Sequence, residues 1–78
     1  MTVNTHSLKK LLDFNRISVR DFGAEVFPEY PDMHKQEANA SKLIHNRMQI
    51  KISHVRKISK MLSVQPSDFI IGRRQLQA

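Results

Sequence analysis

The sequence predicts an all-α domain of five short helices, and three observations support this fold class. Apolar residues recur at helical spacing in several short segments of the chain. Residue types that cap helices precede these segments, and proline, glycine or asparagine separates them. The 78 residues contain no internal repeat, so they provide one domain with one modest core. We expect a single domain over residues 1–78, with its core at about 7–71 and a basic C-terminal tail at 72–78.

The first two predicted helices each begin at a serine. Ser7 can cap the first helix, whose inward face consists of leucines at helical spacing: Leu8, Leu11 and Leu12. Ser18 can cap the second helix, whose inward apolar side chains are Phe22 and Val26. Gly23 supplies the small surface that a third helix needs for close approach. Pro28 and Pro31 then end the second helix and force an extended or turning segment.

The third predicted helix begins after Asp32, a capping residue, and continues to about Arg47. Its inward face is expected to consist of apolar residues at helical spacing: Met33, Ala40, Leu43, Ile44 and Met48. Asn46 is suited to end this helix, because asparagine tolerates the left-handed backbone conformation better than most residues.

The last two predicted helices lie close together in the sequence. Ser53 can cap a fourth helix, whose inward residues are Val55, Ile58 and Leu62. Pro66 suits the first turn of a short fifth helix over residues 67–71, which Gly72 ends. This helix carries three consecutive apolar residues, more than a terminal helix usually needs: Phe69, Ile70 and Ile71. They are expected either to cap the core or to form the seam of a dimer.

The charge of the chain is unevenly distributed. The formal net charge is +6, yet residues 16–33 hold two basic and four acidic residues. Residues 38–67 contain no acid and carry six basic residues: Lys42, Arg47, Lys51, Arg56, Lys57 and Lys60. A basic surface of this kind favours a polyanionic partner such as nucleic acid. The alternative is a solvated basic face with no ligand.

Several classes of function are excluded by composition. Without cysteine the chain has no disulfide and no thiolate metal site. The four histidines lack metal-ligand spacing, so we expect neither a metal nor a cofactor. A core this small leaves little room for a catalytic cleft, and two glycines do not make a phosphate loop. The sequence therefore favours a non-enzymatic protein, without membrane association and located in the cytoplasm.

Three stretches of the chain resemble the Cro/C1-type (XRE) family: residues 40–47 (ASKLIHNR), 51–64 (KISHVRKISKMLSV) and 65–70 (QPSDFI). In that family a recognition helix leads into an Asn-Gly-Lys-like turn, followed by a helix similar to KIAKALGV and a closing S-x-D-x-L helix. The resemblance implies a lambda-repressor-like helix-turn-helix domain. It also implies a sequence-specific transcriptional regulator of the phage, plasmid or antitoxin repressor type, in the bacterial cytoplasm or nucleoid.

The resemblance further implies which residues contact double-stranded DNA. Base reading falls to the third helix, through Gln36, Glu37, Ala38 and Lys42. Contacts with the sugar-phosphate backbone fall to Asn39, Ser41, Asn46, Arg47, Lys51, Ser53, His54 and Lys57. The family pattern implies a homodimer on a palindromic operator, with no cofactor.

The chain departs from the family pattern at two places. About seven extra residues, roughly Phe27 to Met33, enlarge the connection between the second and third helices. Val19 stands where the family often has a phosphate-binding glutamine. The enlarged loop supports an alternative function, a protein-binding module on the same fold, such as an antirepressor or an inhibitor of a host factor. Glu29, Tyr30 and Asp32 would give its 27–33 loop an acidic and aromatic tip. A weaker alternative is sequence-independent nucleic-acid binding.

Overall fold

A computed structural model describes residues 1–71 of the chain, so the predicted basic tail 72–78 lies outside the described residues. The described part contains four α-helices, namely α1 (Thr5–Phe14), α2 (Val19–Val26), α3 (Met33–Ile44) and α4 (Ile52–Leu62). A 3-10 helix follows at Pro66–Asp68. Two short strands, β1 (Thr2–Val3) and β2 (Ile70–Ile71), pair antiparallel, with Val3 opposite Ile70.

The prediction of a fifth helix is wrong. Residues 67–71 divide between the end of the 3-10 helix and strand β2. The physical reason is long-range pairing: the Asn4 amide donates to the Phe69 carbonyl over 2.8 Å, and β2 continues this pairing with β1. The domain is therefore mainly helical with a two-stranded closure that joins its two ends.

Side-chain caps set the starts of the first three helices. Ser18 Oγ accepts from the Asp21 amide at 3.1 Å and Asp32 Oδ1 accepts from the His34 amide at 2.8 Å, so both predicted caps are confirmed. The predicted cap of α1 is wrong. Asn4 caps it through Oδ1, which accepts from the Ser7 amide at 3.0 Å, and Ser7 therefore lies in the first turn.

The start of α4 differs from the expected one. Lys51 is the N-cap residue, and Ser53 lies inside the first turn instead of capping it. His54 replaces the expected serine cap, because its Nδ1 accepts from the Lys51 amide at 3.2 Å. At the other end, Ser63 ends α4 in the left-handed conformation with φ 55°.

The core is built from one face of each helix and both ends of the chain. The predicted inward residues Ala40, Leu43 and Ile44 of α3 are buried, as are Val55, Ile58 and Leu62 of α4. The prediction that Met33 lies in the core is wrong, because Met33 is the first residue of α3 and is 52% exposed. The core also takes in buried residues that the helical pattern did not indicate, namely Val3, Phe27, Ile50, Phe69 and Ile70.

The close packing of α2 on α3 depends on Gly23, as its small size predicted. A Cβ at Gly23 would lie 2.7 Å from the carbonyl carbon of Gln36 and nearer still to its oxygen. It would also lie 3.2 Å from the Glu37 nitrogen. All three atoms belong to the backbone of α3, so no side chain larger than hydrogen fits between the helices. Gly23 thus fixes the distance at which α2 supports α3.

The C-terminal end of α3 is tied to the N-terminal strand. The helix ends at Ile44, earlier than expected, and Asn46 adopts the predicted left-handed conformation with φ 60°. The Asn46 side chain accepts from the Val3 amide at 2.8 Å and donates to the Val3 carbonyl at 2.7 Å. In addition, Thr5 Oγ1 donates to the Ile44 carbonyl at 2.6 Å. Both ends of α3 are therefore fixed, one against α2 and the other against β1.

Candidate nucleic-acid interface

The outward face of α3 carries small, polar and basic side chains. Its exposed residues at helical spacing, continued into the C-cap position, are His34, Lys35, Ala38, Ser41, Lys42 and His45. None of these six residues is acidic; the one acidic residue of α3, Glu37, has a 46% exposed side chain and lies beside α2. Because α3 is held at a fixed distance from α2, this face is a rigid and positively charged surface.

Two of the four residues predicted to read bases lie on this face. Ala38 and Lys42 are exposed and four residues apart, so they point the same way from α3. Lys35 stands one turn before Ala38 and extends the same row. The structure thus brings together a row formed by Lys35, Ala38 and Lys42, which we call the α3 row.

The other two predicted base readers are turned toward neighbouring elements. Gln36 is half-buried, and its Nε2 donates to the Tyr30 carbonyl at 2.8 Å. Glu37 lies beside α2, where its Oε1 is 4.0 Å from Arg20 Nε. That ion pair is well exposed and therefore weak. Gln36 supports the loop before α3, and Glu37 contributes to the contact between α2 and α3.

The predicted backbone contacts divide into two groups. Four exposed residues lie on the outward side of α3, in the turn after it or at the start of α4: Ser41, Arg47, Lys51 and Ser53. Asn39 is half-exposed, and its Nδ2 donates to the Lys35 carbonyl one turn earlier at 2.8 Å. These positions place polar and basic groups around the α3 row.

The remaining three predicted backbone contacts serve internal packing. Asn46 uses both polar atoms of its side chain on Val3. Lys57 is half-buried, and its Nζ donates to the Val26 carbonyl at 3.3 Å, where a cation at the last turn of α2 is favourable. His54 is only 6% exposed, so its side chain packs inside the domain, and a contact of this helix start with phosphates stays a prediction.

The side chain of His54, a residue of the first turn of α4, lies against the α2–α3 loop. Its ring packs on Phe27 with centroids 4.9 Å apart, and its Nδ1 accepts from the Lys51 amide. Burial, followed by the positive charge of Lys51, lowers the pKa of His54 below its ordinary value of 6.5. The neutral imidazole is therefore the form that fits this site, because the accepting Nδ1 must be unprotonated.

The enlarged loop is anchored at two points. Phe27 is 1% exposed and belongs to the core, so it is not available as part of a docking loop. Tyr30 is half-buried with its ring centroid 6.1 Å from that of Phe27, and its carbonyl accepts from Gln36. Pro28, Glu29, Pro31 and Asp32 are the exposed loop residues before α3. The insertion is therefore a small packed unit with two acidic residues at its surface, Glu29 and Asp32, the second of which caps α3.

The apolar end of the described chain caps the core. Phe69 is fully buried and Ile70 is 9% exposed, while Ile71 is half-buried. Of the two alternatives for these residues, the seam of a dimer and a cap over the core, the structure assigns Phe69 and Ile70 to the core. Ile71 stays partly exposed, and a role for this segment in a dimer seam stays a prediction.

Lys9, Lys35 and His45 lie near the α3 row but were not among the predicted DNA contacts. Lys35 and His45 continue the spacing of Ala38 and Lys42, so extending that row by one turn each way indicates both. Lys9 of α1 lines an open groove with Ser18 at the start of α2 and with Ser41 and His45. A lysine beside a helix N-terminus favours an anion. No local signal indicates Lys9, because its position depends on how α1 packs.

No helix within residues 1–71 combines the length and the apolar composition that crossing a bilayer requires. Over the same residues, no group of three or more His, Cys, Asp or Glu side chains is placed to hold a metal ion.

Comparison with known proteins gives one match. Residues 7–71 match the family model described as the Cro/C1-type HTH DNA-binding domain. This range contains the four helices, except for the first two residues of α1, together with the 3-10 helix and β2. Neither the curated proteins nor the solved structures gave a match to the chain.

Proposed function

Because the chain belongs to the Cro/C1-type helix-turn-helix family of DNA-binding regulators, we propose that it is a sequence-specific transcriptional repressor that inserts α3 into the major groove of operator DNA. The observation that carries this proposal is the outward face of α3, whose six exposed residues include no acid and which Gly23 holds close to α2. A preorganised helix presents its side chains to base edges without an ordering cost.

The α3 row is the proposed base-reading surface. Lys42 is suited to donate to guanine O6 or N7, and the methyl group of Ala38 is suited to contact a thymine methyl. Lys35 stands at the N-terminal end of the same row, where recognition helices commonly contact bases. Gln36 and Glu37 hold the loop and α2 in this proposal, and therefore affect specificity only through the position of α3.

Phosphate binding is proposed for the groups around this row. Arg47, Lys51 and Ser53 would contact the backbone on one side of α3, and Lys9 at the start of α2 on the other. Together they would fix the register of α3 on the duplex without reading sequence. A homodimer on a palindromic operator, acting by occupancy in the bacterial cytoplasm or nucleoid, completes the proposal.

The test is selection of binding sites from random DNA duplexes, repeated with variants. Lys42→Ala should relax the preference at one base pair per half-site, at a cost of about 1–3 kcal/mol. Arg47→Ala and Lys51→Ala should weaken binding to every duplex alike and reduce the salt slope by about one unit each. Lys60→Ala is the matched control. It removes the same positive charge, but Lys60 is not one of the proposed DNA contacts and lines a groove with Ala24, Glu25 and Pro28.

Each outcome bears on a separate part of the proposal. An unchanged base preference in Lys42→Ala would show that α3 reads DNA in another register. A wild-type chain that enriches no duplex would refute sequence-specific binding. In that case the protein-binding module remains, with the exposed loop residues Pro28, Glu29 and Pro31 as the surface for an antirepressor or host-factor inhibitor.

A further inference from the structure

The most exposed large apolar residue of the described chain is Phe14, at the end of α1. Its side chain is 85% exposed, whereas the next apolar residues in order, Ile52 and Met33, are 55% and 52% exposed. An open groove adjoins it, lined also by Ser7, Lys10, Leu11, Val64 and Asp68. Leu11 and Val64 are half-buried, so the floor of the groove is apolar and continuous with the core.

This groove, which we call the Phe14 groove, lies on a different flank of the domain from the α3 row. On α1, Lys9 and Asp13 line the groove that adjoins α2 and α3. Lys10, Leu11 and Phe14 point to another side of the same helix, toward Val64 and the 3-10 helix. A protein seated in the Phe14 groove would therefore leave the outward face of α3 open.

The charges at the groove favour a particular occupant. Lys10 on α1 and Asp68 on the 3-10 helix are both exposed and carry opposite charges at the edge of the same apolar groove. In a two-fold contact, Lys10 of one copy can face Asp68 of the other, and the reverse pair forms at the same time. A surface with an apolar ring, an apolar floor and both charges is thus complementary to itself.

We propose that the Phe14 groove is the self-association surface of this protein and that its occupant is a second copy of the chain. The Phe14 ring of each copy packs over Leu11 and Val64 of the other, with the Lys10 and Asp68 pairs at the rim. This inference deepens the proposed function, which requires a dimer on a palindromic operator. It differs from the seam predicted at Phe69, Ile70 and Ile71, of which Phe69 and Ile70 lie in the core.

Sedimentation equilibrium of the full chain without DNA tests the surface. Phe14→Ser should weaken dimer association at least about a hundredfold, because a two-fold contact loses the apolar ring twice. Circular dichroism should show an unchanged fold, since Phe14 is largely exposed within one copy. Val19→Ser is the matched control: it removes a 37% exposed apolar residue from the start of α2 and should leave association unchanged.

Charge exchange tests the pairing. Lys10→Glu should weaken association, because it places two acidic groups opposite each other at both ends of the contact. Adding Asp68→Lys should restore association. If this double variant loses its fold because Asp68 Oδ2 accepts from the Gln65 amide, the Phe14→Ser result still decides.

The outcomes separate this inference from the proposed function. A wild-type chain that stays monomeric at millimolar concentration, or a Phe14→Ser variant that associates as the wild type does, would overturn the surface. Nuclear Overhauser contacts from Phe14 to Leu76 in a monomer would overturn it too, with the chain's own C-terminal segment as the occupant. If Phe14→Ser abolishes association while the wild type enriches no duplex, the surface stands and the DNA-binding function fails.

Discussion

Replacing Gly23 with alanine is expected to lower the free energy of unfolding by about 2 kcal/mol, although alanine is the better helix former. At an open helical position this substitution stabilises by about 0.5–1 kcal/mol. Here the new methyl group would lie 2.7 Å from the Gln36 carbonyl carbon and 3.2 Å from the Glu37 nitrogen. Because these are backbone atoms, no rotamer change relieves the overlap, and α3 must move. Overpacking against rigid neighbours costs about 3 kcal/mol at the upper end of its usual range. This cost exceeds the gain in helix propensity, so the net effect of the substitution is destabilising.

The assay combines thermal unfolding with operator binding. A loss of about 2 kcal/mol corresponds to a fall in Tm of roughly 8–16 °C for a domain of this size. Operator affinity, measured where both proteins are folded, should also fall, because displacement of α3 misplaces the base-reading row. Ala24→Gly is the matched control: Ala24 is exposed, so the change costs about 0.5–1 kcal/mol of helix stability and leaves affinity unchanged. A Gly23→Ala protein as stable as the wild type would refute the close contact between α2 and α3.

Four further substitutions, one of them a control, test local features by urea unfolding. Ser63→Gly should stabilise by about 1 kcal/mol, because it relieves a left-handed serine, whereas Ser53→Gly inside the first turn of α4 should destabilise. Ser59→Ala should stabilise by about 1 kcal/mol, because the buried Ser59 hydroxyl has no hydrogen-bond partner within residues 1–71; equal or lower stability would argue against this. Burial lowers the pKa of His54 in the folded state. The contribution of His54 to the free energy of unfolding is therefore complete above pH 6.5 and declines as the pH falls below that value, by at most about 1.4 kcal/mol per pH unit. His54→Gln keeps an acceptor for the Lys51 amide and should remove that part of the slope, and a slope that persists would assign it to other groups.

The helices could be predicted because their signals are local. Ser18 and Asp32 cap the helices that follow them, and the inward faces of α3 and α4 follow the helical period. The first residue of α3 fails this rule, because Met33 is placed by the cap before it and not by the inward stripe. The strands had no local signal. Thr2–Val3 and Ile70–Ile71 pair only because the helices bring these two segments together.

The candidate site was harder to predict because distant hydrogen bonds decide which side chains are free. The Asn46 side chain hydrogen-bonds the backbone of Val3, 43 residues away in the sequence. Lys57 donates to the backbone carbonyl of Val26, 31 residues away. Both were reasonable phosphate ligands by residue type and position in the sequence. Their hydrogen bonds depend on how β1 and α2 pack on their neighbours, which no local pattern indicates. The exposed basic residues Lys42, Arg47 and Lys51 have no comparable long-range bond within the described chain.

The enlarged connection between α2 and α3 links the fold to the proposed specificity. Extra loop residues carry a small entropic cost, and here the loop is closed by Phe27 in the core and by Lys57 at the last turn of α2. The helices therefore keep the close contact at Gly23 despite the insertion. The loop affects α3 in one way: the Tyr30 carbonyl accepts a hydrogen bond from the Gln36 side chain. Because this hydrogen bond holds Gln36 to the loop, the proposed reading passes to Lys35, Ala38 and Lys42.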